Sequence, residues 1–148
     1  MKPKIEQILS SPEHGKPQSE QATAALIAGT GLSGDRYAGS GVVSLIEAEA
    51  VAAFNAASGL AIRAADTGRN LVTRGVALNE LVGKRFRIGE AELEGTELCE
   101  PCATLGRSLA TDAVSAAEVV RHFARSAGLR ARVLSDGDIQ PGSEIATG

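Results

Sequence analysis

The chain has 148 residues, of which 43% are apolar and 22% charged, and a net charge of −3. Length and composition fit one globular domain, residues 1–148, and exclude a disordered chain, a collagen-like repeat or, with two cysteines, a disulfide scaffold. No tryptophan, one tyrosine and three phenylalanines leave no stacking platform for single strands, and the acidic balance lacks a nucleic-acid binder's basic footprint.

In chain order, Met1–Gly15 carries Lys2, Lys4, Glu6, Glu13 and prolines, unlike a signal peptide, and no apolar run nears the roughly 20 residues of a membrane span. The expectation is a cytoplasmic protein with no membrane contact. Lys4–Leu9 and Ala24–Ala28 read as short strands, and Gly29–Gly41 as a loop. Val42–Ile46 reads as a strand; a helix opens at Ser44, whose capping box is completed by Glu47, and stops at Gly59. Asn70–Thr73 is a strand, and Arg85–Ile88 with Ala91–Glu94 forms a hairpin around Gly89-Glu90. A second helix starts at Ser115 with Glu118 in capping relation. Its apolar face is Ala116, Val119, Val120, Phe123 and Ala127, and Gly128 suits its C-terminal cap. Leu129, Ala131 and Val133 alternate with Arg130 and Arg132 as a half-buried strand. Strands outnumber helices without alternating with them. The fold expected is mainly β, a closed or nearly closed β-barrel with a few peripheral α-helices.

Three motifs bear on chemistry. Gly29-Thr30-Gly31-Leu32-Ser33-Gly34 spells a dinucleotide fingerprint, but that motif needs a helix to begin there, and Asp35–Gly41 contains two further glycines. A glycine-rich nest around Asp35 and Arg36 that holds an anion is the better functional reading, against a plain surface loop. Cys99-Glu100-Pro101-Cys102 could be half a zinc site, a redox pair or one working thiol. Zinc lacks further ligands, because His14 and His122 stand near the chain ends in no ligand spacing. No βαβ start supports a thioredoxin-like site, while two small buried thiols is the plain structural alternative. Arg69-Asn70 offers a fork of donors for phosphate or a polar heterocycle, and Arg74 points away from Arg69. Neither histidine suggests a triad, so hydrolysis has no support.

Several blocks together resemble the MOSC domain, the family named for the C-terminal domain of molybdenum cofactor sulfurase. They are Gly31-Leu32-Ser33-Gly34-Asp35-Arg36-Tyr37, Val43-Ser44-Leu45-Ile46-Glu47, Arg69 through Gly75, Leu78-Asn79 with Leu81-Val82-Gly83, Phe86-Arg87-Ile88-Gly89, Leu98 through Cys102, and Gly128-Leu129-Arg130-Ala131. They run in family order. The resemblance implies a β-barrel of the short, stand-alone bacterial type. It implies that Cys102 is the functional cysteine, carrying a persulfide or ligating molybdenum. It also implies that Arg36, Arg69 and Asn70, with Asp35 and Ser44 in the matching blocks, contact the molybdenum cofactor (molybdopterin). Tyr37 stands where many members have histidine, and Ser143-Glu144 replaces the common Gly-Asp.

Two functions follow as expectations. One is a molybdenum-cofactor-binding protein reducing N-hydroxylated compounds with a partner electron-transfer protein. The other is a sulfur carrier loaded on Cys102 by a pyridoxal-phosphate cysteine desulfurase; mass spectrometry of Cys102 after that reaction separates them. A non-catalytic binding module is a third reading, in which Cys102→Ala has no phenotype. In either active form Cys102 shares a pocket with Arg36 and Arg69, and Cys99 is the buried, less reactive thiol.

Overall fold

A computed structural model describes residues 2–99, 111, 114–123 and 126–147. The chain forms the strands β1 (Lys4–Ser10), β2 (Ser19–Glu20), β3 (Ala24–Ile27), β4 (Gly31–Leu32), β5 (Val42–Glu47) and β6 (Leu71–Arg74). They continue with β7 (Arg85–Ile88), β8 (Ala91–Leu98), β9 (Leu129–Val133), β10 (Gly137–Ile139) and β11 (Ile145–Thr147). Two helices, α1 (Ala48–Ser58) and α2 (Ala116–His122), and 3-10 turns at Ala64–Thr67 and Leu78–Leu81 complete the described elements.

Among the described residues the larger sheet runs β11-β7-β8-β9-β5-β6-β1-β2, and a smaller one runs β10-β3-β4. The larger sheet curls into a half-barrel but stays open as a ladder, so the closed or nearly closed barrel expected from the sequence is met only in part. Where β1 approaches the start of β11, an isolated bridge between Lys4 and Glu144 and single backbone bonds such as Ile5 N to the Ser143 carbonyl span the gap. A turn closed by Ser143 N on the Gln140 carbonyl at 2.9 Å, rather than a strand, faces β1 at Ile5.

The β7–β8 hairpin turns at Gly89-Glu90 as expected, with Ile88 opposite Ala91. One departure lies farther along β8. Gly95 faces Ala131 while Glu97 faces Arg130, so Thr96 is an extra residue, a β-bulge whose hydroxyl donates to the Arg130 carbonyl at 3.0 Å.

The first helix begins four residues later than the sequence suggests. Ser44 lies within β5, whose residues pair with β9 on one side and β6 on the other, and two ladders outweigh one capping box. Glu47 is the N-cap without a side-chain cap bond, because its carboxylate accepts from Leu78 N. Gly59 ends α1 as expected, in the left-handed conformation with its N–H on the Asn55 carbonyl. The Ser115–Glu118 capping box opens α2 as read, but the helix ends at His122 and Gly128 does not cap it. Gly128 instead leads into β9 at φ +116. Between Gly29 and Gly41 the chain turns, broken only by the two-residue β4, and no helix starts at Gly31.

Two apolar clusters result. Ile5, Ile8, Leu45, Leu71, Leu93 and Leu129 fill the concave side of the sheet. Ile46, Val51, Phe54, Val72, Cys99, Val119 and Phe123 pack between its convex side and the helices. Phe54 and Phe123 stack with centroids 4.4 Å apart, and each fully buried ring is worth about 1.5–3 kcal/mol. Among the described residues, no helix is long and apolar enough to cross a membrane.

Candidate functional site

A cavity of about 700 Å³ opens beside the second cluster. Its walls come from the glycine-rich loop (Arg36, Tyr37), β5 (Ser44), the segment before β6 (Thr67, Gly68, Arg69, Asn70), the end of β8 (Thr96, Glu97, Cys99) and β9 (Arg130). Residues distant in sequence thus meet because β5 is the shared neighbour of β6 and β9.

Asn70 is the knot of this wall. Its N–H donates to Ser44 Oγ at 3.1 Å, Ser44 Oγ donates back to Asn70 Oδ1 at 3.1 Å, and Asn70 Nδ2 donates to the Leu9 carbonyl at 3.1 Å. One buried amide therefore ties β1, β5 and the start of β6 together. Arg69, one residue earlier, is steered by its Nε–H bond to the Ala127 carbonyl at 2.8 Å. Gly128 permits this approach: its backbone passes so close to the Leu45 carbonyl that a Cβ would stand 2.2 Å from that oxygen.

Arg36 reaches the cavity from the glycine-rich loop. Asp35, although named by the sequence, is not among the cavity's lining residues; its carboxylate accepts from Ser11 N and Tyr37 N, both at 3.2 Å. It shapes the loop that presents Arg36. Arg74 lies elsewhere, paired with Glu6 through Nε at 2.6 Å.

The electrostatics are one-sided. Of the cavity's two carboxylates, Asp66 is held by Arg63 at 3.2 Å and Glu97 by Arg130 at 3.1 Å. Among the described residues, neither Arg36 nor Arg69 has a carboxylate in ion-pair range. The cavity thus carries two guanidinium charges not neutralised by these carboxylates, a field for an anion. Among the described residues, Arg36 Nε is also buried without a partner.

Cys99 is buried at 4% exposure, its N–H on the Gly128 carbonyl at 2.8 Å. Burial pushes its thiol above the usual range, and the charges of Arg69 and Arg130, with a hydrogen bond from Arg130, pull only partly back. In the folded protein Cys99 is expected to react with iodoacetamide at least about tenfold more slowly than a free thiol at neutral pH, accelerating only as pH rises past the ordinary thiol range. Site-resolved mass spectrometry checks this; labelling of Cys99 at the free-thiol rate refutes it.

The structure therefore brings together Arg36, Ser44, Arg69 and Asn70 of the expected site, with Cys99 beside them. Cys102 lies outside the described residues, as do all of residues 100–110. Sequence reasoning missed Arg130 and Glu97 as cavity residues. The alternation Leu129-Arg130-Ala131 did turn Arg130 outward, but nothing local showed which neighbour it would face. Among the described residues, no group of three or more His, Cys, Asp or Glu side chains could hold a metal ion.

Solved structures share this fold, three of them as follows. The YuaD protein of Bacillus subtilis superposes with a TM-score of 0.86 at 19% identity, covering 98% of this chain and 94% of its own. YiiM of Geobacillus stearothermophilus gives 0.74 at 17% identity, covering 99% of this chain and 75% of its own. YiiM of Escherichia coli gives 0.68 at 20%, covering 100% and 70%. At such identities the likeness speaks for the fold alone. No curated protein matches the sequence. The MOSC domain model matches residues 32–146, a stretch that takes in every cavity wall described above, and the chain belongs to the MOSC domain family.

Proposed function

We propose that this protein binds the molybdenum cofactor in the cavity and, with electrons from a partner electron-transfer protein, reduces N-hydroxylated compounds. The observation that carries the reading is the pair of guanidinium groups, Arg36 and Arg69, unpaired with carboxylate in the cavity of a MOSC domain. The cavity's donors suit the group: an anionic phosphate meets Arg36 and Arg69, and the orphaned Arg36 Nε calls for an acceptor. When bound, the cofactor supplies a metal centre able to pass two electrons.

The chain's own residues have separate tasks. Arg36 and Arg69 hold the anionic end through charge-assisted hydrogen bonds. Asn70 and Ser44 are largely spent on one another and keep the wall rigid. Asp35 fixes the loop that delivers Arg36. Cys102, the family's functional cysteine, is assigned the soft-ligand role that a thiolate fills.

Protein purified from a host that makes the cofactor is expected to carry close to one molybdenum and one pterin per chain. Arg69→Ala is expected to lower pterin retention about tenfold or more, the equivalent of one lost charge-assisted bond. Absence of molybdenum together with no uptake of added cofactor refutes the reading.

A further inference from the structure

The segment Pro12–Gln18, between β1 and β2, lines none of the cavity yet is fastened to three residues that do, Arg36, Tyr37 and Gly68. Arg36 Nη1 donates to the Lys16 carbonyl at 3.4 Å, and Gln18 Nε2 donates to the Gly68 carbonyl at 3.2 Å. The His14 ring meets Tyr37 edge-on at 4.9 Å, and the Arg36 guanidinium lies 5.5 Å from the same ring's centroid. The foot of the segment is firm: Ser11 is fully buried, its N–H on Asp35 and its carbonyl accepting from Arg36 N at 2.7 Å. Residues from Pro12 to Pro17 are exposed.

The fastening is weak where it touches charge. A distance of 3.4 Å is long for an N–H to carbonyl bond. Among the described residues, Arg36 Nε and Gln18 Oε1 are both buried without partners. A buried donor on a cation without an acceptor carries an unmet desolvation cost, so this arrangement leaves Arg36 under-satisfied.

We infer that Pro12–Gln18 is a ligand-operated strap, closed when the Lys16 carbonyl occupies Arg36 and released when an oxyanion in the cavity takes the guanidinium. The device rests on the reading of the cavity as an anion site; it does not depend on molybdenum. Strap and anion pull one guanidinium group in different directions, so by linkage whatever loosens the strap must tighten the anion.

The chain has one tyrosine and no tryptophan, so intrinsic emission reports Tyr37 alone. The probe is inorganic phosphate, with calorimetry for binding. Tyrosine emission and cleavage after Glu13 by a glutamate-specific protease follow the strap. Phosphate is expected to change the emission saturably and to speed cleavage severalfold in the wild type, with no response in Arg36→Ala. His14→Ala is expected to bind phosphate about two- to tenfold more tightly, the equivalent of one lost aromatic edge contact. Phosphate binding with emission unchanged, or with cleavage unchanged or slowed, overturns the strap and leaves the anion site standing. No binding to either wild type or His14→Ala overturns both.

Discussion

Gly128→Ala is expected to destabilise the protein by about 3 kcal/mol or more, enough to prevent folding of a marginally stable domain. Two costs add. The residue sits at φ +116, where a side chain is strained, and a Cβ would stand 2.2 Å from the Leu45 carbonyl, a backbone atom held on both sides by ladders. Relief would require β5 and β9 to part at the Leu45–Leu129 pair, next to the Ala127 and Gly128 carbonyls that anchor Arg69 and Cys99. Gly83→Ala is the control: φ is +77, but no atom lies within 4 Å of the added carbon, so the cost is about 1–2 kcal/mol. Urea unfolding of the two variants compares them, and equal midpoints refute the close-approach argument.

Asn70→Ala carries the second large effect, a loss of about 2–4 kcal/mol. The amide is 3% exposed, and its removal takes the donor from the Leu9 carbonyl and the acceptor from the Ser44 hydroxyl proton, leaving only the residue-70 N–H on Ser44 Oγ. Asn70→Asp keeps an acceptor for Ser44 but loses the donor to Leu9 and buries a carboxylate, so it is expected to fare no better. Ser44→Ala keeps the Leu9 bond and is expected to cost about 1 kcal/mol. Denaturation midpoints ordered differently, with Ser44→Ala the worst of the three, would show that the knot lies elsewhere. Any Asn70 variant that folds is expected to bind anion more weakly, because the same bonds hold the segment presenting Arg69.

The parts of this fold governed by neighbours in sequence were readable from it. The Gly89-Glu90 hairpin, the Ser115–Glu118 capping box and the Gly59 stop each depend on residues within a few positions. What escaped depends on partners far along the chain. Ser44 carries a local helix-start signal but sits between β6 and β9, which arrive later in the sequence. Gly128 looks like a helix cap until the Leu45 carbonyl is seen against it. The open seam of the half-barrel likewise turns on how β1 and the turn before β11 meet. At the site, Arg36, Arg69, Ser44 and Asn70 were named from the sequence and share one cavity. Their division of labour was hidden, since Asn70 spends its amide on residues 26 and 61 positions away. Arg130 was seen only as an outward-facing charge.

Thr96 decides which side of the sheet receives a thiol. Up to the bulge, Ala91, Leu93 and Gly95 point to the concave cluster; beyond it the parity is reversed, with Leu98 packed against that cluster and Cys99 in the convex one. A strict two-residue alternation would have done the opposite, sealing the sulfur among leucines and turning Leu98 toward the arginines. The inserted residue therefore works as a switch of facing. Deleting Thr96 would make the ladder regular and leave Leu98 and Cys99 facing as they do, whereas straightening the strand with Thr96 kept in the alternation would take Cys99 out of the cavity.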